Sequence, residues 1–92
     1  MHIIKTTSAF KKDIKRAKKR QYDMKILKSI VITLEQGKEL PQKYRDHELI
    51  GNWNGYRECH IKPDWLLIYR IVDNYLILER TGTHSDLFKK EG

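Results

Sequence analysis

Ninety-two residues suffice for one small domain, expected to span 1–92 without a linker or repeat. Two Trp, five Tyr and two Phe exclude a disordered chain, and the single cysteine, Cys59, excludes a disulfide scaffold. No apolar run approaches the roughly 20 residues that cross a bilayer, and the N-terminus lacks a secretion signal, so a reduced, cytoplasmic setting and no membrane contact are expected. The net charge is +7, and it is uneven: residues 1–28 hold ten Lys or Arg against two Asp, a balance of +8, whereas the remainder stands at −1. Clustered cations gain free energy by releasing counterions from phosphate chains, so a polyanionic partner is expected.

Residues 2–5 read as a short first strand. Thr6, Thr7 and Ser8 offer capping hydroxyls, and Phe10, Ile14 and Ala17 then recur at helical spacing among lysines and arginines. A break near Arg20-Gln21-Tyr22 precedes Asp23, a second cap. Leu27, Ile30, Val31 and Leu34 mark one face of a second helix, which Gly37 stops. Residues 38–55, with Pro41, Gly51 and Gly55, read as a loop-rich connection. Strands come next at 56–61, 65–72 and 75–81, turned at Pro63-Asp64 and Asp73-Asn74, and Ser85 to Phe88 suggests a short final helix. The order β-α-α-β-β-β predicts an α+β, two-layer fold: an antiparallel sheet with a helix hairpin on one face and the other face open.

Alternation puts Tyr56, Glu58 and His60 on one face of their strand and Arg57, Cys59 and Ile61 on the other; Leu76, Leu78 and Arg80 share a face of the last strand. The open face would tolerate polar Glu58, His60 and Arg80. No His-x-His, His-Glu-x-x-His or Cys-x-x-Cys spacing points to zinc, so neither a metal nor another cofactor is expected. Cys59 faces away from His60, and no nucleophile elbow is present. General acid–base catalysis needs only a base, an acid and a cation around one substrate, and histidine, aspartate and arginine meet that need.

Two segments carry a long pattern. The first runs D-H-x-L-x-G-x-W-x-x-x-R-[DE]-x-H-x-x-P-D-W-x-L-x-Y from Asp46 to Tyr69, and the second runs R-x-G-[TS]-H-x-x-L-F from Arg80 to Phe88. With the helix hairpin before them, they resemble the YafQ branch of the RelE/ParE toxin superfamily over essentially the whole chain. The resemblance implies a RelE-like fold and a toxin of a type II toxin–antitoxin pair that enters the ribosomal A site and cuts the bound mRNA. It implies that His47, His60, Asp64, Arg80, His84 and Phe88 serve cleavage, with Glu58 and Trp65 beside them on the RNA. It also implies a DinJ- or RelB-like antitoxin as partner, and operator DNA as a target of the toxin–antitoxin complex.

The residue types suit metal-independent cleavage. His84 is assigned as general acid; His60 and Asp64, or His47, supply or orient the base. Arg80 would stabilise charge at phosphorus, and Phe88 and Trp65 would stack on a splayed base. Lys11, Lys12, Lys15, Arg16, Lys18, Lys19 and Arg20 are then expected to hold ribosomal RNA. The one departure from the family pattern is the tail Lys89-Lys90-Glu91-Gly92, expected either to add a phosphate contact or to be disordered. Two rivals remain: an operator-binding helix-turn-helix, disfavoured by the turn without glycine, and a ParE-like gyrase poison, disfavoured by the histidine set.

Overall fold

The computed structural model describes residues 1–88, and the tail expectations lie outside them. Strand β1 (Ile3–Thr6) leads into helix α1 (Ser8–Lys19) and helix α2 (Met24–Glu35). Thr7 caps α1 by accepting from the Phe10 amide at 2.9 Å, and Asp23 caps α2 by accepting from the Lys25 amide at 3.0 Å. Both helices end alike. Tyr22 and Gln21 amides donate to the Ala17 and Lys18 carbonyls, and Lys38 and Gly37 amides donate to the Thr33 and Leu34 carbonyls. This double bond needs a left-handed residue after the helix. Gly37 supplies it at φ 74, as expected, and Gln21 supplies it at φ 61, so the first turn closes without glycine.

Strand β2 (His47–Glu48) comes after a 3-10 turn (Gln42–Tyr44), and a second 3-10 turn (Gly51–Trp53) leads to β3 (Arg57–Lys62), β4 (Trp65–Val72), β5 (Tyr75–Gly82) and helix α3 (His84–Leu87). The sheet order is β1-β5-β4-β3-β2. Two expectations change here. The sheet is mixed rather than antiparallel, because β1 pairs parallel to β5. Strand β1 has no sequence neighbour to form a hairpin with; the Thr7 hydroxyl, donating to the Glu79 carbonyl at 2.7 Å, ties its end to β5. The segment read as a loop also contains β2, which adds an antiparallel edge beside β3.

The helix hairpin covers one face. Phe10, Ala17, Leu27, Ile30 and Leu34 pack on Cys59, Ile61, Leu67, Tyr69, Leu76 and Leu78. The alternation of β3 is as expected. Cys59 is a core residue at 0 % exposure, and burial pushes its thiol up, so it stays protonated. The opposite face is not bare. Leu66, Ile68 and Leu87 form a second apolar cluster, covered by Leu49, Trp53, Tyr56 and Phe88. The connecting loop and α3 therefore roof the sheet on that side. Among the described residues no helix is long and apolar enough to cross a membrane.

Two register shifts position the polar side chains of this face. One lies between His60 and Lys62 on β3; in the other, Ile68 pairs with Arg80 while Tyr69 pairs with Leu78, leaving Glu79 as the extra residue. Bulges re-aim side chains, often beside reactive sites. Here the second bulge breaks the alternation expected for β5: Leu76 and Leu78 join the helix-side core, whereas Arg80 comes opposite Ile68 of the other cluster.

Candidate active site

The second face brings the three histidines of the latter half of the chain together. His47 sits on β2 directly opposite Glu58 of β3, and His60 lies two residues further along β3. His84 opens α3 after the Thr83 cap. Ring centroids of His47 and His60 are 6.2 Å apart, and those of His60 and His84 are 5.8 Å apart. The row continues through Phe88, 6.3 Å from His84, to Trp53, 5.9 Å from Phe88.

Each imidazole is oriented by an acceptor. His47 Nδ1 lies 2.6 Å from the Arg45 carbonyl oxygen. A carbonyl only accepts, so Nδ1 carries a proton and Nε2 faces Glu58 Oε1 at 3.6 Å. His60 Nε2 lies 3.2 Å from the same carboxylate oxygen, which leaves its Nδ1 for proton transfer. His84 Nδ1 and its backbone amide both donate to Asp64 Oδ1, at 3.1 and 3.3 Å, leaving Nε2 outward. Those hydrogen bonds hold the Asp64 carboxyl below its ordinary value. Glu58 is only 5 % exposed and its carboxylate is turned onto the two histidines, which speaks against the direct RNA contact expected of it.

The segment before β2 is clamped. Tyr69 Oη donates to Asp46 at 2.7 Å and Arg57 Nε donates to Asp46 at 3.1 Å. Burial, together with the Asp46 carboxylate, pushes the Tyr69 phenol up, so it remains a donor. Arg45 adopts φ 50, a left-handed conformation that costs a non-glycine residue energy. Its payoff is local: the carbonyl is aimed at His47.

Arg80 belongs to a second knot. Its Nε and Nη2 donate to Asp13 of α1 at 2.6 and 3.1 Å. Asp13 also accepts from Arg16 at 2.6 Å and from the Thr81 amide at 3.1 Å, and is 2 % exposed. Asp86 of α3 pairs with Arg16 at 3.0 Å and Arg20 at 2.7 Å. The Arg20 hydrogen bond holds its carboxyl well below the usual range. A methyl at Gly82 would fall 2.9 Å from Asp86 Oδ2, so glycine lets α3 fold back onto β5.

The sequence-derived set is thus partly gathered. His47, Glu58, His60 and His84, with Asp64 and Phe88 beside His84, form one surface. Arg80 is held by Asp13, not by any histidine. Trp65 is corrected outright: it is 3 % exposed, its indole N–H donates to Thr81 Oγ1 at 2.9 Å, and its ring packs on Tyr22, so it offers no face to a base. Trp53, on the opposite face beside Phe88, is the aromatic that reasoning from sequence missed. Arg16 and Arg20 are likewise committed to ion pairs, whereas Lys11, Lys12, Lys15, Lys18 and Lys19 are exposed. Asp13, Arg45 and Asp46 carried no motif signal beyond the Asp-His pair.

A metal could also be held on this surface. Glu58, His60 and His84 each offer a ligand atom, all within 4.8 Å of one another. Three N or O donors with room for further ligands fit a transition-metal ion. Spacing in sequence missed this because the third donor comes from another element.

The sequence model of the family described as bacterial toxin of type II toxin-antitoxin system, YafQ, matches residues 2–89. The chain is 45% identical over 86 residues to the mRNA interferase toxin YafQ of Escherichia coli K12, covering 92% of this chain and 94% of that one. The Escherichia coli DinJ-YafQ complex contains a chain that superposes with a TM-score of 0.88 at 45% identity, covering 96% of this chain and 99% of that one. A copper-bound mutant toxin from Helicobacter pylori superposes with a TM-score of 0.93 at 39% identity, covering 96% and 100%.

Proposed function

Because the chain belongs to the YafQ family of type II toxin–antitoxin toxins, we propose that it is an endoribonuclease that cuts mRNA in the A site of the ribosome, in the cytoplasm, and is neutralised by a DinJ-like antitoxin. The observation that supports this reading is the row of three imidazoles, each held by an acceptor, with His60 Nδ1 and His84 Nε2 left for proton transfer. RNA carries a 2′-hydroxyl beside each phosphodiester. A base takes its proton, O2′ attacks phosphorus, and the P–O5′ bond breaks as an acid protonates the leaving oxygen. A 2′,3′-cyclic phosphate and a 5′-hydroxyl result, and both proton transfers suit histidine near neutral pH.

His84 is the general acid of this scheme, since its outward Nε2 can donate while Asp64 steadies the charged ring. His60, with Glu58 behind it, or His47 is the base. Arg80 supplies charge stabilisation from the edge of β5, and Phe88 and Trp53 offer ring faces to a splayed base. A copper or zinc ion held by Glu58, His60 and His84 would take up the imidazole nitrogens that these proton transfers need, so the trio serves either as ligands or as acid and base, not as both at once. The complex with antitoxin is the form that would bind operator DNA.

Purified protein added to translating ribosomes, with mRNA ends mapped, tests the reading. Cleavage at A-site codons leaving cyclic-phosphate ends is expected. Intact mRNA, together with inhibited gyrase, would establish the ParE-like alternative instead.

A further inference from the structure

A groove of about 610 Å³ runs beside the histidine row, and its wall holds three cations that the mechanism does not use: Lys43, Arg45 and Lys62. His60 and His84 line the same groove, and Ile26 and Ile61 give it an apolar floor. Among the described residues, no carboxylate lines it. The ion pairs of the described residues engage Arg16, Arg20, Arg57, Arg70 and Arg80, and none engages these three. Three positive groups without a carboxylate partner on one concave wall concentrate field far more than the same charges on a convex surface.

Resting on the ribonuclease reading, we propose that this groove is the subsite for the mRNA strand flanking the scissile bond, with Lys43, Arg45 and Lys62 as its phosphate contacts. Two features bear on it. The groove is continuous with the reacting imidazoles, so a backbone held there leads its next phosphodiester to His60 and His84. Single-stranded nucleic acid is held by such a combination of basic wall and apolar contact surface. The backbone at Arg45 is the second feature. It holds φ 50, a conformation that glycine would adopt without strain, yet the residue is an arginine that lines this wall. Its carbonyl orients His47 in the same stroke, which couples the subsite to the row.

The full chain carrying His84→Gln, titrated with a short single-stranded oligoribonucleotide across about 50 to 200 mM salt, tests the subsite without any need for cutting. Lys43→Gln, Arg45→Gln and Lys62→Gln combined in that background should weaken binding at least about tenfold. The slope of log affinity on log salt should fall by about 2, from about 0.7 per phosphate contact in single strands. Arg45→Gly alone removes the guanidinium but suits the left-handed backbone, so it should keep the thermal midpoint and lower the slope by about 0.7. On ribosomes, the triple variant with His84 intact should raise KM for cleavage more than it lowers kcat. An unchanged slope and affinity would overturn the subsite, as would a loss confined to antitoxin binding with RNA affinity intact. Absence of cleavage by the unaltered chain would instead sink the ribonuclease reading and leave the oligonucleotide result standing.

Discussion

Two basic regions of this molecule differ in how they are made. The outer face of α1 is convex, and Lys11, Lys12, Lys15, Lys18 and Lys19 stand exposed along one helix, where a charge count by segment finds them at once. The groove beside the histidines is concave, and its cations come from the part of the chain whose balance is −1. Charge summed over sequence describes the field a distant polyanion meets. The field at a reacting phosphate depends on which few groups the fold places on one wall, and the surrounding acids of that segment are spent elsewhere: Asp46 on Tyr69 and Arg57, Glu79 on Arg70, Asp86 on Arg20. Screening does not separate the two, because Lys43, Arg45 and Lys62 are exposed like the helix lysines, and exposed charges fade beyond roughly 10 Å at 0.1 M salt.

The sharpest way to break this contrast is at His84. Replacing it with Gln should slow single-turnover cleavage of ribosome-bound mRNA by about 10²- to 10⁴-fold, the usual worth of a general acid. The thermal midpoint should hold, because the side chain is 54% exposed. An undiminished rate would place the chemistry outside the groove altogether.

Asp13 tests how the two regions are joined. It is the acid by which the basic helix grips β5, through Arg80 and the Thr81 amide. Asp13→Asn puts an amide where four N–H groups from three residues converge and leaves Arg80 without its counter-charge. Loss of one partner from a buried ion pair costs about 3–5 kcal/mol, to be read from urea unfolding. A loss under about 1 kcal/mol would mean that apolar packing alone seats α1.

Reversing Lys11, Lys15, Lys18 and Lys19 to Glu should act on encounter, not on chemistry. Ribosome association should slow about 10- to 100-fold at low salt and recover as salt is raised. Stability should stay within about 0.5 kcal/mol, as for most surface changes. A kcat that falls at saturating ribosomes would erase the distinction between docking face and groove.

The same divide separates the features legible in sequence from those that were not. The hairpin was legible because its signals are local: hydroxyl and carboxylate caps at Thr7 and Asp23, apolar spacing, and Gly37 after the second helix. Glu58 and His60 were legible on one face because period-two alternation survives up to the bulge. Strand β2 was not, since two residues carry no period. Alternation grouped Arg80 with Leu76 and Leu78, and the one extra residue at Glu79 breaks that grouping. Trp65 looked like a stacking surface since nothing local shows that its N–H is satisfied by Thr81. The ligand trio and the groove cations depend on contacts between distant elements, and no spacing rule within a strand or helix encodes those.

The smallest effect lies where the two regions touch, at Asp86, and it is read against pH. Arg20 holds this carboxyl below its unfolded value near 3.9. A depressed pKa contributes stability that is complete above the unfolded value and is lost as pH falls through the folded one. Arg20→Gln should therefore lower stability only modestly at pH 7, as for a solvent-exposed pair, and the cost should fade as pH falls below about 4. Asp86 also accepts from the Thr83 amide at 2.9 Å, a bond that does not involve Arg20, so the cap of α3 should survive the substitution. His84 would then stay in place, and cleavage on ribosomes should fall less than about threefold. A larger drop would show that the pair of Arg20 and Asp86, rather than the capping box, holds the acid of the groove in position, and that the basic helix reaches further into the chemistry than its lysines suggest.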